Sequence, residues 1–196
     1  MLRIGITGGM GSGKTTVCQI FAQLGIPIYF ADAEAKRLMV ENDELVESIE
    51  RLFGIQAYTD DGLLNTRHVS EMAFKDASLL QKLNALVHPA VSNDFREWSL
   101  KQTSTYVIKE AALMYESGSF REMDYVVTVS APKELRIKRS IHRDDSSREQ
   151  VVARMKKQWS EKKRNESADF IIKNDGNHAL IPQVQELHEK FIAATQ

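Results

Sequence analysis

The residues with the clearest chemical potential form a glycine-rich segment near the start of the chain. Residues 8–15, GGMGSGKT, match the pattern G-x-x-x-x-G-K-[ST]. Glycines permit a positive φ and bring backbone N–H groups close to phosphate oxygens. Lys14 supplies a charge for the β- and γ-phosphates, and the Thr15 hydroxyl is placed to ligate Mg²⁺. The pattern predicts a nucleoside triphosphate site rather than a glycine turn without a ligand. The residues expected to contact the nucleotide here are Gly9, Gly11, Ser12, Gly13, Lys14, Thr15 and Thr16.

A second chemical feature is a basic block over residues 133–164. It holds 12 Lys and Arg against 5 Asp and Glu, whereas the rest of the chain holds 14 against 22. Such segregation is compatible with an anionic ligand at the block, although a charge run by itself favours a solvated basic helix. Trp159 is the only Phe, Trp or Tyr in the block, so the aromatic platform that stacks nucleic acid bases is missing and no nucleic acid partner is expected.

Strands and helices alternate around these features. Residues 2–7 predict a strand, 13–24 a helix and 26–30 a second strand, which together make a βαβ unit of a parallel sheet. Further strands are expected at about 105–110, 124–130 and 169–174, and helices at 133–143, 148–164 and 178–194. Five strands alternating with helices predict a three-layer α/β fold with a five-stranded parallel sheet.

Residues 33–101 predict a helical insert in this sheet. Two apolar stripes at helical spacing are separated by the turn-rich residues 58–65, and Pro89 is expected to kink or end the second helix near Val87. No linker-like composition flanks the insert. We therefore expect a single domain over residues 1–196, with a core of about 1–32, 102–135 and 165–196, the insert at about 33–101 and a lid at about 136–164.

The composition excludes several classes of protein. The 196 residues are 42% hydrophobic and 27% charged, as in globular domains, and no apolar run approaches the roughly 20 residues that span a bilayer. The first residues do not resemble a secretory signal, and the one cysteine, Cys18, suits a reducing compartment. These features predict a cytoplasmic protein without membrane partners. No obligate protein partner is indicated.

Three classes of protein share the phosphate-binding motif. Switch GTPases also need D-x-x-G and N-K-x-D motifs in suitable places, which this chain lacks, and its length without repeats argues against a motor or pump. Kinases of small molecules remain.

At this point the sequence resembles a known family, the dephospho-coenzyme A kinases. The resemblance covers essentially the whole chain and is carried, in order and spacing, by TGGMGSGKTT (7–16), Asp32, LVHP (86–89), ALMYES (112–117), LRIKRSIHRDD (135–145) and IIKNDG (171–176). It implies a P-loop kinase fold with an α-helical substrate-binding insert and a basic lid. It also implies transfer of the ATP γ-phosphate to the ribose 3′-hydroxyl of dephospho-coenzyme A, with Mg²⁺, to give coenzyme A and ADP.

The resemblance also assigns residues. Asp32 matches the second acid of the family's D-A-D pattern, whose first acid is Phe30 here, and is expected to orient the attacking hydroxyl or take its proton. Its alternative role is the N-cap of a helix starting at Ala33. His88 is expected near the acceptor substrate, against a purely structural role.

In the lid, Arg139 and Arg143 share one helix face and are expected to reach the phosphates, while Arg136 and Lys138 are expected in solvent. Asn174 and Gly176 are expected beside the adenine.

Glu110 stands where many family members carry an acid near Mg²⁺. Lys109 before it and Ala112, where proline is common, depart from the family pattern, so a surface ion pair is an equal alternative for Glu110. Another small-molecule kinase, such as one for nucleoside monophosphates, and a nucleotide-binding regulator without turnover are the competing functions.

Overall fold

The architecture is a five-stranded parallel sheet in the order β2-β3-β1-β4-β5. The computed structural model describes residues 1–195, without the side chain of Ala77. The strands are β1 (Leu2–Thr7), β2 (Ile28–Phe30), β3 (Tyr106–Glu110), β4 (Tyr125–Ser130) and β5 (Phe170–Lys173). The predicted α/β class with five parallel strands is confirmed.

Nine α-helices connect and cover the strands in the described part of the chain. They are α1 (Lys14–Gln23), α2 (Ala31–Glu41), α3 (Asp43–Phe53), α4 (Thr66–Lys75), α5 (Ala77–Leu100), α6 (Lys133–Asp144), α7 (Arg148–Met155), α8 (Glu161–Ser167) and α9 (Leu180–Ala193). Short 3₁₀ turns at Ile55–Ala57 and Ser119–Glu122 complete the regular structure.

The chain divides into two compact units. One comprises Met1–Phe30 with Lys101–Gln196 and contains the sheet, and the other is the helical segment Ala31–Leu100.

The sheet is buried because its central strands are apolar on both sides. Ile4 and Ile6 of β1 pack with α1 and α9 in the main core, where Phe21 and Phe191 are also buried. On the other side of β1, Met114 occupies the place that a side chain at Gly5 would need. The sheet thus fixes the end of β1, from which the glycine-rich segment emerges.

In the helical unit, α5 runs through Pro89. The expectation that the helix ends near Val87 is therefore wrong. Val87, Val91 and Phe95 are buried at successive intervals of four residues on both sides of the proline. Burial of this one face offsets the hydrogen bond that proline removes.

The predicted helix 148–164 is in fact two helices. Its start is as expected, with a capping box formed by Ser147 and Gln150. It ends at Met155, and Ser160 caps the next helix by accepting a hydrogen bond from the Lys163 N–H at 3.2 Å. Ser160, a second N-cap serine within the basic block, is the sequence signal that indicates a second helix start.

Candidate active site

The glycine-rich loop joins the carboxyl end of β1 to the start of α1. Gly13 is the N-cap of α1 in the left-handed region, with φ 91°, and Gly11 has φ 75°. Residues with a side chain rarely adopt this backbone conformation, so glycine is needed at both positions. The first N–H groups of α1 have no partner within the helix and carry its positive dipole end. The loop is thus a backbone cradle for an anion.

Lys14 lies at the rim of this cradle and is paired with Glu110. Its Nζ donates to the Gly8 carbonyl at 3.2 Å and lies 3.8 Å from Oε1 of Glu110. Glu110 ends β3 and is paired in register with Ile6 of β1, which brings the carboxylate to the cradle. Both side chains are about one-tenth exposed. The alternative for Glu110 is thus correct in the ion pair but wrong in placing it at the surface, and its role near Mg²⁺ remains a prediction.

Lys109, the residue before Glu110, is also buried. Its Nζ lies 3.4 Å from Oε2 of Glu122. Burial lowers the pKa of Lys109, and Glu122 opposes that effect. Lys109 interrupts the apolar run of β3 but remains within the strand, paired with Glu122.

The loop after β5 closes over the cradle. Asn174 donates from Nδ2 to the Ser12 carbonyl at 2.8 Å and lies where a side chain at Gly13 would be. Arg139 of α6 donates to the Asn174 carbonyl at 3.1 Å and to its Oδ1 at 3.3 Å. The structure therefore brings the cradle, Arg139 and Asn174 together.

Arg143 lies in the last turn of α6, one turn after Arg139. Its side chain is 64% exposed and pairs with Asp144 at 2.7 Å. Its predicted contact with phosphate remains a prediction.

The predicted exposure of Arg136 to solvent is wrong. Arg136 is only 7% exposed and pairs with Glu161 at 2.8 Å. The reason is the fold of the basic block, because α8 returns to β4 and places Glu161 against the start of α6.

Two further residues of the block meet the cradle and were missed. Arg164 is 2% exposed and lies against Gly9, and Gln158 accepts a hydrogen bond from the Met10 N–H at 2.9 Å. The serine cap at position 160 was the only local signal for the turn that brings both residues back.

Asp32 and His88 belong to the helical unit. Asp32 is an exposed residue in the first turn of α2, two positions after β2 ends. Since α2 begins at Ala31, the alternative that Asp32 caps a helix starting at Ala33 is wrong. His88 is exposed on α5 and is therefore not a core residue.

Residues 1–195 contain no group of three or more His, Cys, Asp or Glu side chains that could hold a metal ion. Within the same residues, no helix combines the length and apolar character needed to cross a membrane.

Comparison with known proteins decides the family. The family model described as dephospho-CoA kinase matches residues 2–179. The chain belongs to the dephospho-CoA kinase family. A dephospho-CoA kinase of Salinibacter ruber is 40% identical over 179 residues, which cover 90% of each chain. One from Bacteroides fragilis is 36% identical over 187 residues, covering 95% of this chain and 91% of the relative.

A solved structure shares the fold of this family member over its full length. The protein TT1252 from Thermus thermophilus superposes with a TM-score of 0.83 at 31% identity, covering 100% of this chain and 98% of the other. As a dephospho-CoA kinase family member, the chain is an enzyme of the kinase class with ATP as its co-substrate.

Proposed function

We propose that this protein transfers the γ-phosphate of ATP to the 3′-hydroxyl of the ribose in dephospho-coenzyme A, giving coenzyme A and ADP. The observation that carries the proposal is the family match over nearly the whole chain, together with an intact phosphate cradle at residues 8–15. Phosphoryl transfer of this kind depends mainly on positioning and on neutralising charge. The described residues can do both.

The phosphates of ATP are bound by the cradle. The N–H groups at the start of α1 donate to phosphate oxygens, and Gly9, Gly11, Ser12 and Gly13 allow the backbone to approach them. Lys14 exchanges its contact with the Gly8 carbonyl for the β- and γ-phosphates. Thr16, the next residue of α1, is exposed and binds the nucleotide as well.

The residues present fit a magnesium ion. Mg²⁺ binds through few protein ligands together with phosphates and water, which agrees with the lack of a larger cluster in the described chain. The exposed Thr15 hydroxyl at the start of α1 and the Glu110 carboxylate beside Lys14 are the groups that would hold it. Bound there, the ion supplies positive charge to the phosphate oxygens.

On the acceptor side, Asp32 accepts the proton of the attacking hydroxyl or orients that hydroxyl. Its support is its exposure and its place directly after a strand of the parallel sheet, whose carboxyl ends bind ligands in such folds. His88 binds the acceptor. The support for this role is that His88 is exposed on α5.

The remaining family residues bind the nucleotide. Arg139 reaches the phosphates, and the loop with Asn174 and Gly176 lies beside the adenine; the contacts of Arg139 with Asn174 and of Asn174 with Ser12 support both roles. Arg143 reaches the phosphates after exchanging its pairing with Asp144. A cytoplasmic location, and action without nucleic acid or an obligate protein partner, belong to the same proposal.

The test is a coupled ADP assay against a panel of acceptors. We expect ADP formation that requires both Mg²⁺ and dephospho-coenzyme A, and a product with a new 3′-phosphate by mass spectrometry. A purified protein inert with this acceptor but active on nucleoside monophosphates would overturn the proposal. ATP binding without turnover on any acceptor would instead favour a regulator.

A further inference from the structure

Two buried arginines of the basic block converge on one residue of the cradle. A side chain at Gly9 would collide with Nη1 of Arg136 from α6, and would lie 2.5 Å from Nη2 of Arg164 from α8. The next residue, Met10, donates its N–H to Gln158 from the segment between α7 and α8. Three separate parts of the block therefore meet the dipeptide Gly9–Met10.

The guanidinium of Arg136 is held in one orientation. Its Nε donates to the Ala131 carbonyl at 3.0 Å, and its Nη2 pairs with Glu161 at 2.8 Å. Glu161 is itself fixed, because its other oxygen accepts from the Ser130 hydroxyl at 2.6 Å and from the Ala131 N–H at 2.9 Å. With Nε and Nη2 engaged, Nη1 is the nitrogen directed at Gly9. This geometry suits a planar guanidinium that presents one edge to a ligand.

Arg164 is less completely satisfied. Its Nη1 donates to the Trp159 carbonyl, and its buried Nε has no hydrogen-bond partner among the described residues. Burial, followed by the charge of Arg136, lowers the pKa of Arg164. Glu161 and Glu116 oppose that effect. Oε2 of Glu161 is paired with Arg136, whereas Oε1 of Glu116 accepts from the Trp159 N–H at 2.6 Å and its buried Oε2 has no hydrogen-bond partner among the described residues.

Two desolvated cations at one backbone position repel each other, and an anion placed between them would relieve that cost. The N–H groups at the start of α1 bind the inner phosphates of a nucleotide, and Lys14 reaches the β- and γ-phosphates from that same end of the loop. Gly9 and Met10 lie at the opposite end of the loop, next to β1. The anion that reaches them is therefore the terminal phosphate.

We propose that Arg136 and Arg164 bind the terminal phosphate of ATP at Gly9–Met10, with Glu161 as the positioning residue that aims Arg136. The inference rests on the proposed function. It adds two phosphate-binding arginines to Lys14, both buried before the nucleotide arrives. Their planar donors suit a phosphoryl group whose charge is spread over several oxygens during transfer.

The decisive measurement compares ATP with ADP, since only ATP carries the terminal phosphate. Calorimetric titration with Mg²⁺ and without acceptor gives both affinities for each variant. For Arg136→Met we expect ATP affinity to fall about 10- to 100-fold, while ADP affinity changes less than about twofold, because a hydrogen bond to a charged group is lost. Lys138→Met, an exposed cation on the same helix, is the matched control.

A double variant removes an ambiguity in the single one. Arg136→Met leaves Glu161 without its cation, and the carboxylate could repel phosphate by itself. Arg136→Met with Glu161→Gln removes both charges, so an ATP-selective loss should persist. Return of wild-type ATP affinity in the double variant would overturn the proposal. Equal losses of ATP and ADP affinity would also overturn it, because they would show that Arg136 only stabilises the loop.

Arg164 and Glu161 are tested in the same way. Arg164→Lys keeps the charge but not the planar donors, so ATP affinity should fall about tenfold or more even if Arg164→Met does not fold. Glu161→Gln should lower kcat more than it raises the KM for ATP, because the aim of Arg136 and not its presence is changed. Unchanged kcat in Glu161→Gln contradicts the positioning role. Since these titrations need no acceptor, failure of wild type to phosphorylate dephospho-coenzyme A is a separate result.

Discussion

The two compact units differ in where they keep their charged residues. In the unit with the sheet, the buried side chains include Lys109, Glu110, Arg136 and Arg164. Among the described residues of Ala31–Leu100, Ser99 is the only buried polar or charged side chain.

This difference separates two ways of preparing a site. Burying charge is costly unless each group is paired, and the first unit pairs Lys14 with Glu110 and Arg136 with Glu161 at the glycine-rich loop. Its charges are therefore fixed before a ligand binds. The helical unit is stabilised by apolar contacts, and its candidate functional residues Asp32 and His88 are exposed. We therefore expect its contribution to binding to depend on groups that remain hydrated until the ligand arrives.

The largest effect is expected for an exposed residue of the helical unit. It would show that catalysis does not depend on buried, paired charges alone. Asp32→Ala should lower kcat by about 10²- to 10⁴-fold, since the attacking hydroxyl loses its base. ATP affinity should be unchanged. Steady-state kinetics with saturating acceptor measure the effect, and Asp43→Ala, an exposed acid in the first turn of α3, is the control. A loss below about tenfold would remove Asp32 from the chemistry.

Lys14→Ala tests the buried side of the comparison. We expect kcat to fall about 10²- to 10³-fold, because charge stabilisation at the transferred phosphoryl group is lost. The change also removes the cation that lies 3.8 Å from the buried Glu110 carboxylate. Single-turnover rates should therefore be compared with those of Lys14→Ala combined with Glu110→Gln. If the double variant regains most of the rate, repulsion by Glu110 and not loss of the lysine explains the defect.

A smaller effect is expected for Glu110→Gln alone. The amide is a weaker ligand than the carboxylate, so half-maximal activity should need about tenfold more Mg²⁺. Titration of the rate with Mg²⁺ at fixed ATP measures the shift. Glu134→Gln, which removes an exposed carboxylate from α6, should leave the titration unchanged. An unaltered Mg²⁺ requirement in Glu110→Gln would restrict Glu110 to pairing with Lys14.

These cases also show which parts of the structure local sequence patterns can predict. The strands, the cradle and α1 follow from apolar periodicity and from a motif within eight residues, so all three could be predicted. The burial of Arg136 could not, because its partner Glu161 lies 25 positions away and meets it only after the chain has folded back to β4. The continuation of α5 through Pro89 could not be predicted either, because it depends on the burial of residues on both sides of the proline.

The smallest expected effect comes from the largest charge network of the helical unit. Arg37 contacts Glu34 at 2.5 Å, Asp94 at 2.8 Å and Glu41 at 3.1 Å, and these hydrogen bonds raise its pKa. Its side chain is nevertheless 40% exposed, where water and salt weaken ion pairs. Arg37→Ala should therefore cost about 1 kcal/mol or less in the free energy of unfolding, and the cost should shrink in high salt. Urea unfolding at two salt concentrations measures it, with Arg51→Ala, which removes a single exposed pair with Glu47, as the control. A salt-independent cost above about 3 kcal/mol is the behaviour of a buried ion pair and would show that the helical unit, too, depends on fixed internal charge.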